Sequence, residues 1–479
     1  MTVTVTKPCG RKVLYYCPST MIGNVEREIR RWSPHRSVVV LGGQSKITRR
    51  FLLDMMKQHP EYVVIVNYEA SRKDNSLVDD LIDTEFDTCI IDEAHNIKDR
   101  RSKGYRDIKK VLTESDIPFV IPMTGTPILN KPQEFFSLLT LVDPYHFNSE
   151  SYFLRDFCSQ DLYTKKWHFK PGGVELLFKQ FPNLFMRRTK EQAGIVLPPV
   201  TVTVHEIEVD EHKYPMQASA RNQMREYASI MLDPDQGKAI AAAAQIAVYT
   251  RLRQIETWPA SIKVRDKDGD VIMELGDEYA ESQKIDEIIG WENGDVNEWG
   301  GIFPEVTRHT TLNPDGERTV VFSQFKDPLH VIRDRAAKAG YTVAIYDGDT
   351  PESMRQEIQM DLDMKFKDTP GWGKYDAVLC NYRVGGAGLN FTSASQMIIL
   401  DEEWNPGKRD QAYGRMDRMG QEKPMTVHVL RSKGAASGSG IDTWLAGIIE
   451  DKERLVDGFH GTADSMAQDA FDAIKNGLI

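Results

Sequence analysis

The chain has 479 residues, enough for two or three domains that each bury their own core. Hydrophobic residues make up 41% of it, which argues against wholesale disorder, and the formal net charge of −11 argues against a surface coated in basic residues. With no apolar run near about 18 residues and no signal-peptide pattern, we expect neither a membrane span nor export. The five scattered cysteines fit a reducing cytoplasm better than a disulfide framework or a zinc site.

Short apolar runs separated by helical stretches fill the first part of the chain. The predicted strands are residues 13–17, 38–41, 62–66, 88–91 and 119–123. These runs are continuous rather than alternating, as expected for strands buried on both faces. Helical segments such as residues 24–32 and 48–58 lie between them. The pattern therefore predicts a doubly wound α/β lobe.

A second α/β lobe is predicted near the end of the chain. Its strands are residues 319–323, 342–346, 377–380, 397–400 and 426–430. Between the lobes, residues 210–255 favour helix, and residues 263–274 predict a hairpin around Asp268 and Gly269. Residues 437–440 predict a flexible joint, and apolar spacing predicts a helix over residues 441–459 that packs back onto the lobes.

Four regions follow from this division of the chain. We predict lobe one over residues 1–200, a helical and hairpin insertion over residues 201–279, lobe two over residues 280–435, and a brace helix with a tail over residues 436–479. The fold class is α/β, with two parallel sheets.

An acidic pair follows one of the predicted strands. Asp92, Glu93, Ala94 and His95 come directly after the apolar run that ends at Ile91. Asp92 can hold Mg²⁺ through its water shell, and Glu93 can orient and deprotonate an attacking water, so the pair suits a magnesium–nucleotide site. ATP hydrolysis also needs a glycine-rich loop that ends in Gly-Lys-Ser/Thr, and no Gly-Lys in this sequence is followed by Ser or Thr.

Several short segments, which follow one another in the order of the family's motifs, resemble the Swi/Snf family of superfamily-two ATPases. In lobe one they are residues 14–18, 67–69, 92–95 and 124–130, which look like motifs Ia, Ib, II and III. In lobe two they are residues 321–325, 385–390 and 411–421, which look like motifs IV, V and VI. The ordered set covers nearly the whole chain. The resemblance implies two RecA-like lobes and an ATP-dependent DNA translocase or helicase.

The resemblance also assigns roles to individual residues, with ATP and Mg²⁺ as cofactors. The expected catalytic residues are Asp92, Glu93, Gln411, Arg415 and Arg418. Gly385 and Gly388 would let the backbone approach a phosphate closely. His95, Thr124 and Thr126 would couple the two lobes.

Arg415 and Arg418 are the expected arginine finger. They lie three positions apart, so on a helix they would share one face. Arginines that reach the γ-phosphate from the second lobe are worth about 10³–10⁵ in rate. We therefore predict a cleft that brings them towards Asp92 and Glu93.

The DNA contacts that the resemblance implies involve small polar side chains and one arginine. The candidates are Ser19, Asn24, Asn67, Ser323, Gln324 and Arg383. Such side chains suit phosphate contacts, which position a protein without reading sequence. We expect double-stranded DNA to be bound with little sequence preference.

The sequence departs from the family pattern in one respect. The phosphate-binding strand, loop and helix should precede motif Ia, and no such segment is found in these residues. We expect lobe one to be incomplete by itself, with unpaired backbone and an exposed apolar face. Three interpretations stay open: a motor whose first unit comes from a separate polypeptide or was lost by a misassigned start, an ATPase-inactive DNA- or protein-binding remnant, and a restriction-type motor subunit. We favour the first, in the cytoplasm of a bacterial or phage-infected cell.

Overall fold

The computed structural model describes residues 10–125, 131–161, 165, 167–186, 190, 192–231, 238–265, 270–289, 302, 317–382, 389–403, 406–433, 440–443 and 445–447. By their contacts these residues form two compact units, one before residue 187 and one after it. None of the described helices is long and apolar enough to cross a membrane.

The first unit contains a five-stranded parallel sheet. Its strands are β1 (Lys12–Cys17), β2 (Ser37–Leu41), β3 (Tyr62–Asn67), β4 (Thr88–Asp92) and β5 (Phe119–Met123). Their spatial order is β2-β3-β1-β4-β5, and every neighbouring pair is parallel. The five predicted strands are confirmed, each to within one residue at either end. The prediction succeeds because both faces of the central strands are buried, so the strands read as continuous apolar runs.

Helices connect and cover these strands. They are α1 (Ile22–Trp32), α2 (Lys46–Lys57), α3 (Tyr68–Lys73), α4 (Asn75–Ile82) and α5 (Lys103–Glu114). The predicted helices near residues 24–32 and 48–58 are confirmed as α1 and α2. Ser45 caps α2, since its side chain accepts a hydrogen bond from the Thr48 N–H.

The two faces of the first sheet are covered unequally. Leu53 of α2, Leu77 of α4 and Ile108 of α5 pack into one large apolar core on one face. On the other face, Val25 of α1 packs against Val63 in a much smaller core.

An aromatic extension follows β5 within the first unit. Its elements are α6 (Pro132–Val142), α7 (Glu150–Phe157), β6 (Cys158–Gln160), β7 (Trp167–Phe169) and α8 (Gly173–Gln180). β6 and β7 form an antiparallel pair. Phe136, Phe153 and Phe169 lie in one buried cluster that joins these elements.

The second unit contains a six-stranded parallel sheet. Its strands are β8 (Val200–Glu208), β11 (Thr319–Ser323), β12 (Val343–Tyr346), β13 (Ala377–Asn381), β14 (Gln396–Ile399) and β15 (Met425–Lys433). The order is β12-β13-β11-β14-β15-β8, and all pairs are parallel. The accompanying helices are α12 (Asp327–Lys338), α13 (Glu352–Leu362) and α14 (Pro406–Tyr413). The five strands predicted for lobe two are confirmed.

Strand β8 corrects one part of the sequence interpretation. The insertion was predicted to begin at residue 201, but β8 pairs with β15 along its whole length and so belongs to the second sheet. The alternation of Val and Thr over residues 200–204 lacks the continuous apolar run that marks the other strands. The reason is that β8 lies at an edge, where Val202 is 51% exposed.

Helices and a hairpin lie between β8 and β11. They are α9 (Pro215–Met231), α10 (Lys238–Thr257), β9 (Ile262–Arg265), β10 (Val271–Leu275) and α11 (Gln283–Ile288). β9 and β10 pair antiparallel, which confirms the predicted hairpin, although its predicted turn residues lie outside the described ones. Ile441 of the C-terminal helical segment packs with Leu252 of α10 and Ile262 of β9. That contact agrees with a C-terminal segment that packs back; the residues predicted as helix beyond 447 lie outside the described ones.

Candidate active site and nucleic-acid contacts

The acidic pair lies at the carboxyl end of β4, where the strand stops at Asp92. Glu93 has φ 51° and ψ 49°, the left-handed region that non-glycine residues rarely adopt. The turn leads into a 3-10 helix, Ala94–Ile97, and Asn96 donates hydrogen bonds to the Glu93 carbonyl from its backbone N–H and from Nδ2. This backbone directs the Glu93 side chain out of the strand at the edge where parallel sheets bind ligands.

Three hydrogen bonds fix Asp92. Its Oδ1 accepts from the Glu93 N–H at 2.9 Å, its Oδ2 accepts from the Tyr15 hydroxyl at 3.1 Å, and its carbonyl accepts from the Tyr68 hydroxyl at 2.5 Å. Burial, and then the charge of Asp92, raise the pKa of Tyr15 and of Tyr68 above the ordinary value. Both hydroxyls therefore remain protonated donors at physiological pH, and the Asp92 carboxylate keeps one orientation.

Glu93, His95 and Thr124 meet beside Asp92. The Nδ1 atom of His95 lies 3.2 Å from Glu93 Oε2 and 3.3 Å from Thr124 Oγ1. Glu93 Oε2 is buried and makes no hydrogen bond in the described part of the chain. The structure thus brings together His95 and Thr124, two of the three predicted coupling residues; Thr126, the third, lies outside the described residues.

This donor set suits a magnesium ion held mainly through water. Mg²⁺ keeps several waters and takes one or two carboxylates together with substrate phosphates. Asp92 and Glu93 lie together at the carboxyl end of β4, and Asp92 is held by the hydrogen bonds described above. Within the ranges that the structure describes, no three His, Cys, Asp or Glu side chains cluster into a cage of protein ligands. The two carboxylates therefore fit a Mg²⁺ ion that keeps most of its waters.

The predicted arginine finger does not have the predicted geometry. Helix α14 ends at Tyr413, and Arg415 and Arg418 lie in the turns that follow it. Arg415 is 7% exposed, and its carbonyl accepts a hydrogen bond from the Phe391 N–H, whereas Arg418 is exposed. The prediction that the two arginines share one helical face is therefore wrong, because the helix ends before either arginine.

The remaining nucleotide-site candidates of the second unit are only partly described. Gln411 lies on α14 and is partly buried. Gly385 and Gly388, together with the DNA candidate Arg383, lie outside the described residues. Their roles stay predictions.

The DNA candidates of the first unit lie at the carboxyl ends of β1 and β3. Ser19 is exposed in the 3-10 helix Ser19–Met21, and Asn24 is partly buried near the start of α1. Asn67 caps α3, since its Oδ1 accepts from the Ala70 N–H at 2.6 Å. Contact with DNA by these side chains stays a prediction, and the Ser19 hydroxyl is the most accessible of the three.

Ser323 and Gln324 are engaged inside the second unit. Ser323 is fully buried, and its hydroxyl donates to Asp401. Gln324 donates from Nε2 to the Glu402 carbonyl at 2.9 Å and accepts from Arg253 at 3.3 Å. A direct DNA contact by the Ser323 hydroxyl is not supported, because that hydroxyl faces Asp401 rather than solvent.

Sequence reasoning missed a buried ionic pair that holds this loop. Arg253 of α10 is 2% exposed and lies 3.7 Å from Asp401, which follows β14 and has no exposed surface. Burial raises the pKa of Asp401, although the nearby Arg253 guanidinium opposes the shift. Arg253 and Asp401 lie far apart in the sequence, so only the structure shows that they meet. The role of Tyr15 was missed for the same reason.

Two family models match consecutive parts of the chain. A family model described as SNF2-related domain matches residues 4–260, more than half of the sequence. The chain belongs to the SNF2-related family. A second model, described as helicase conserved C-terminal domain, matches residues 304–420. The two matches contain the acidic motif of the first unit and the Arg415 segment of the second.

Relatives of this SNF2-related chain include larger proteins. TATA-binding protein-associated factor mot1 of Schizosaccharomyces pombe is 25% identical over 451 residues, which covers 88% of this chain and 22% of that protein. Chromodomain-helicase-DNA-binding protein 7 of Homo sapiens is 26% identical over 427 residues, covering 87% of this chain and 13% of that protein. Chromodomain-helicase-DNA-binding protein 1-like of Mus musculus is 26% identical over 420 residues, covering 86% and 41%. The chain spans less than half the length of each.

A solved structure also matches. The Sulfolobus solfataricus SWI2/SNF2 ATPase core in complex with dsDNA is 22% identical, with a TM-score of 0.37, over 97% of this chain and 84% of that one.

Proposed function

We propose that this SNF2-related chain is the motor core of an ATP-dependent translocase that acts on double-stranded DNA. Family membership supports a Swi/Snf-type motor. The observation that carries the proposal is the site at the end of β4, where Tyr15 orients Asp92 and His95 lies between Glu93 and Thr124. A general base needs a carboxylate oxygen that can accept a proton, and Glu93 Oε2, which is buried beside His95 Nδ1 and makes no hydrogen bond in the described part of the chain, meets that need.

The proposed cofactors are ATP and Mg²⁺. When bound, Mg²⁺ neutralises charge on the phosphates and helps to orient them. Asp92 would hold the ion through water, and Glu93 would orient the attacking water and accept its proton. Arg415 and Arg418 would stabilise negative charge on the transferred phosphoryl group.

The proposal also assigns a coupling role to His95. Its Nδ1 atom lies within 3.3 Å of both Glu93 Oε2 and Oγ1 of Thr124, which comes just after β5. A change in the position of Thr124 would therefore move the hydrogen-bonding environment of Glu93. That link is the reason to propose His95 and Thr124 as coupling residues.

We propose that the phosphate-binding loop of the motor comes from outside these 479 residues. The support is the sequence itself, in which no Gly-Lys precedes Ser or Thr. Backbone N–H groups and the lysine of such a loop hold the nucleotide phosphates, and the hydroxyl reaches Mg²⁺. Without them, Asp92 and Glu93 would face a nucleotide that is not held in position, and the finger arginines act only on a phosphate already in place.

The proposed DNA contacts are to the phosphate backbone. Exposed Ser19 and partly buried Asn24 at one edge of the first sheet are the described residues that support this part of the proposal. A cytoplasmic location in a bacterial or phage-infected cell is also proposed. It rests on the free, buried state of the four described cysteines, which suits a reducing compartment.

Turnover assays test the proposal. ATP hydrolysis is measured for the chain alone, for the chain with a polypeptide that carries a strand, a Gly-Lys-Thr loop and a helix, and for that mixture with Glu93→Gln, each with and without DNA. We expect negligible hydrolysis by the chain alone and DNA-stimulated hydrolysis by the mixture. The mixture with Glu93→Gln should again show negligible hydrolysis. Glu114→Gln, on the exposed end of α5, is the matched control and should match the unmodified mixture. Robust turnover by the chain alone would contradict the proposed loop donor, and no turnover despite verified binding would favour an inactive remnant.

A further inference from the structure

Strand β8 forms one edge of the second sheet. It pairs with β15 on one side, and no described strand pairs with its other side. Natural sheets usually shorten, charge or cover such an edge, because its unpaired backbone groups can accept a further strand. Residues 200–204 of β8 carry no charge, since their sequence is Val-Thr-Val-Thr-Val. This part of the edge is therefore open to pairing.

The hydrogen bonds between β8 and β15 show which backbone groups of β8 point outwards. The Pro199 carbonyl accepts a hydrogen bond from the Met425 N–H, and Met425 lies in register with Val200. In a parallel pair this pattern means that the odd-numbered residues of β8 direct their backbone groups towards β15. The N–H and C=O groups of Val200, Val202 and Val204, the edge valines, therefore point away from the sheet.

The side chains of the edge valines share one face of the sheet. They are 40%, 51% and 40% exposed, in chain order. Their register partners on β15 are Met425, Val427 and Val429, which lie in the buried core on that face. The edge valines thus extend this core to the rim of the sheet, where it meets solvent. A strand added there would cover backbone groups and apolar side chains together.

The sequence of this edge fits a second copy of itself. Residues 200–204 read the same in both directions, so two copies that run antiparallel about Val202 place valine opposite valine and threonine opposite threonine. In that register Val202 faces Val202 of the second copy, and Val200 faces Val204. The backbone groups of each opposed valine pair point at one another, so the pair can exchange both of its N–H···O bonds. β-Branched side chains opposite one another stabilise such a pairing.

The charged end of β8 disfavours the neighbouring registers. Glu206 is the first charged residue after the edge valines, and it forms an exposed ion pair with Lys433 of β15. An axis at Thr203 would place Glu206 opposite Val200 of the second copy. With the axis at Val202, Glu206 lies outside the opposed valines and keeps its ion pair. No like charges then meet across the interface.

We propose that the outer edge of β8 is the interface of a symmetric dimer, in which two copies of β8 pair antiparallel about Val202 and join their six-stranded sheets. The contact uses the same surface of both copies, so assembly stops at two. A contact centred on residues 200–204 is small beside the roughly 1,200–2,000 Å² that stable interfaces bury. The dimer should therefore be weak, with a dissociation constant in the micromolar range.

Sedimentation velocity of the full chain over a range of concentrations tests the dimer. We expect a shift from monomer to dimer as the concentration rises. Val202→Lys places like charges opposite one another at the axis, so it should leave the chain monomeric throughout. Val271→Lys, at a 42% exposed position of β10, is the matched control and should dimerise as the unmodified chain does. Monomer at every soluble concentration, a dimer that Val202→Lys leaves intact, or larger assemblies would overturn the proposal.

Disulfide trapping tests the register without relying on the lysine variant. Cys9 is replaced by serine throughout, and the four described cysteines are buried. Val202→Cys should form an intermolecular disulfide under mild oxidation, since opposed Cα atoms about 5.5 Å apart suit that bond. Val200→Cys and Val204→Cys should crosslink when mixed, and neither should crosslink alone. A crosslink from Thr203→Cys alone, or none from Val202→Cys, would show that the proposed register is wrong.

Amide hydrogen exchange provides a readout that needs no substitution. The N–H groups of the edge valines point outwards in the monomer and are bonded in the proposed dimer, whereas those of the odd-numbered residues face β15 in both. With free protein at about ten times the dissociation constant, exchange at the edge valines should slow about tenfold. If sedimentation shows a dimer and exchange at the edge valines does not slow, the interface lies elsewhere and the proposal fails.

Discussion

The hydroxyl of Tyr15 donates a hydrogen bond to Oδ2 of Asp92 at 3.1 Å. Tyr15 lies on β1 and pairs in register with Ile90 of β4, so its ring points along the sheet face towards the residue that ends β4. The Glu93 N–H donates to Oδ1, so both carboxylate oxygens of Asp92 accept a hydrogen bond from the protein. The carboxylate is oriented before any ion arrives, which lowers the cost of ordering it on binding.

Tyr15→Phe should weaken activation by Mg²⁺. The substitution removes the donor to Oδ2 and keeps the ring, so the fold is retained while Asp92 gains rotational freedom. Loss of an outer-shell partner typically costs about 10–100-fold in metal affinity or activity, and we expect the lower end. The measurement is the Mg²⁺ dependence of DNA-stimulated hydrolysis by the complemented chain. Tyr145→Phe, at an 80% exposed position, is the control, and an unchanged Mg²⁺ dependence for Tyr15→Phe would exclude the orienting role.

Glu93→Gly should raise stability while abolishing turnover. Glu93 has φ 51°, and the left-handed conformation costs a non-glycine residue about 1–2 kcal/mol, which glycine avoids. We expect a gain of about 1 kcal/mol in the free energy of unfolding, together with a loss of about 10²–10⁴ in hydrolysis by the complemented chain. Denaturant melts and turnover assays measure the two effects. Asp116→Gly, at φ 48°, is the matched control: stability should rise and activity should stay.

The strands of both lobes followed from the sequence because most of them are buried on two faces. β8 did not, since an edge strand with exposed valines carries a mixed pattern that a single sequence does not distinguish from loop or insertion. The position of Asp92 and Glu93 at the end of a strand was also predictable, because they come directly after a continuous apolar run. The Tyr15 contact was not, because it depends on the register of β1 against β4.

In the second unit, too, the sequence did not predict the contacts of individual side chains. Spacing alone placed Arg415 and Arg418 on one helical face, and the end of α14 at Tyr413 removes that face. The pairing of Arg253 with Asp401 joins residues separated by more than a hundred positions. Contacts of this kind arise from tertiary packing, so no local pattern in the sequence reports them.

Asp442→Ala should destabilise the second unit strongly. The Asp442 carboxylate lies 2.5 Å from Nζ of Lys284, and the two side chains are 5% and 1% exposed. Removing one partner leaves a buried charge, which costs about 3–5 kcal/mol. Urea unfolding measures the loss, and the apolar pair Lys284→Met with Asp442→Leu should recover much of it. Glu206→Ala, which breaks an exposed ion pair with Lys433, should have no measurable effect.

Alkaline pH should unfold the protein through its buried tyrosines. Burial raises the pKa of Tyr105 and of Tyr346 to about 12, against about 10 in an unfolded chain. Because the folded state holds these protons more tightly, their contribution is fully present below about pH 10 and is lost as pH rises towards 12. Thermal melts between pH 8 and pH 12 measure the decline, and Tyr346→Phe should make it shallower. A melting temperature that does not change across this range would contradict the assignment.

DNA binding should weaken with salt and depend little on sequence. Contacts to phosphate position a protein without reading bases, and the ionic part of such binding falls as salt concentration rises. Two duplexes of equal length and unrelated sequence are titrated at several salt concentrations, and we expect parallel salt slopes and similar affinities. Ser19→Ala, which removes an exposed hydroxyl at the carboxyl end of β1, should weaken both duplexes by the same factor, about threefold to tenfold. Thr20→Ala, at the neighbouring exposed position, is the matched control and should bind as the unmodified chain does. A preference above about a hundredfold for one duplex at fixed salt would show that base edges are read, since each bidentate base contact is worth about 1–3 kcal/mol.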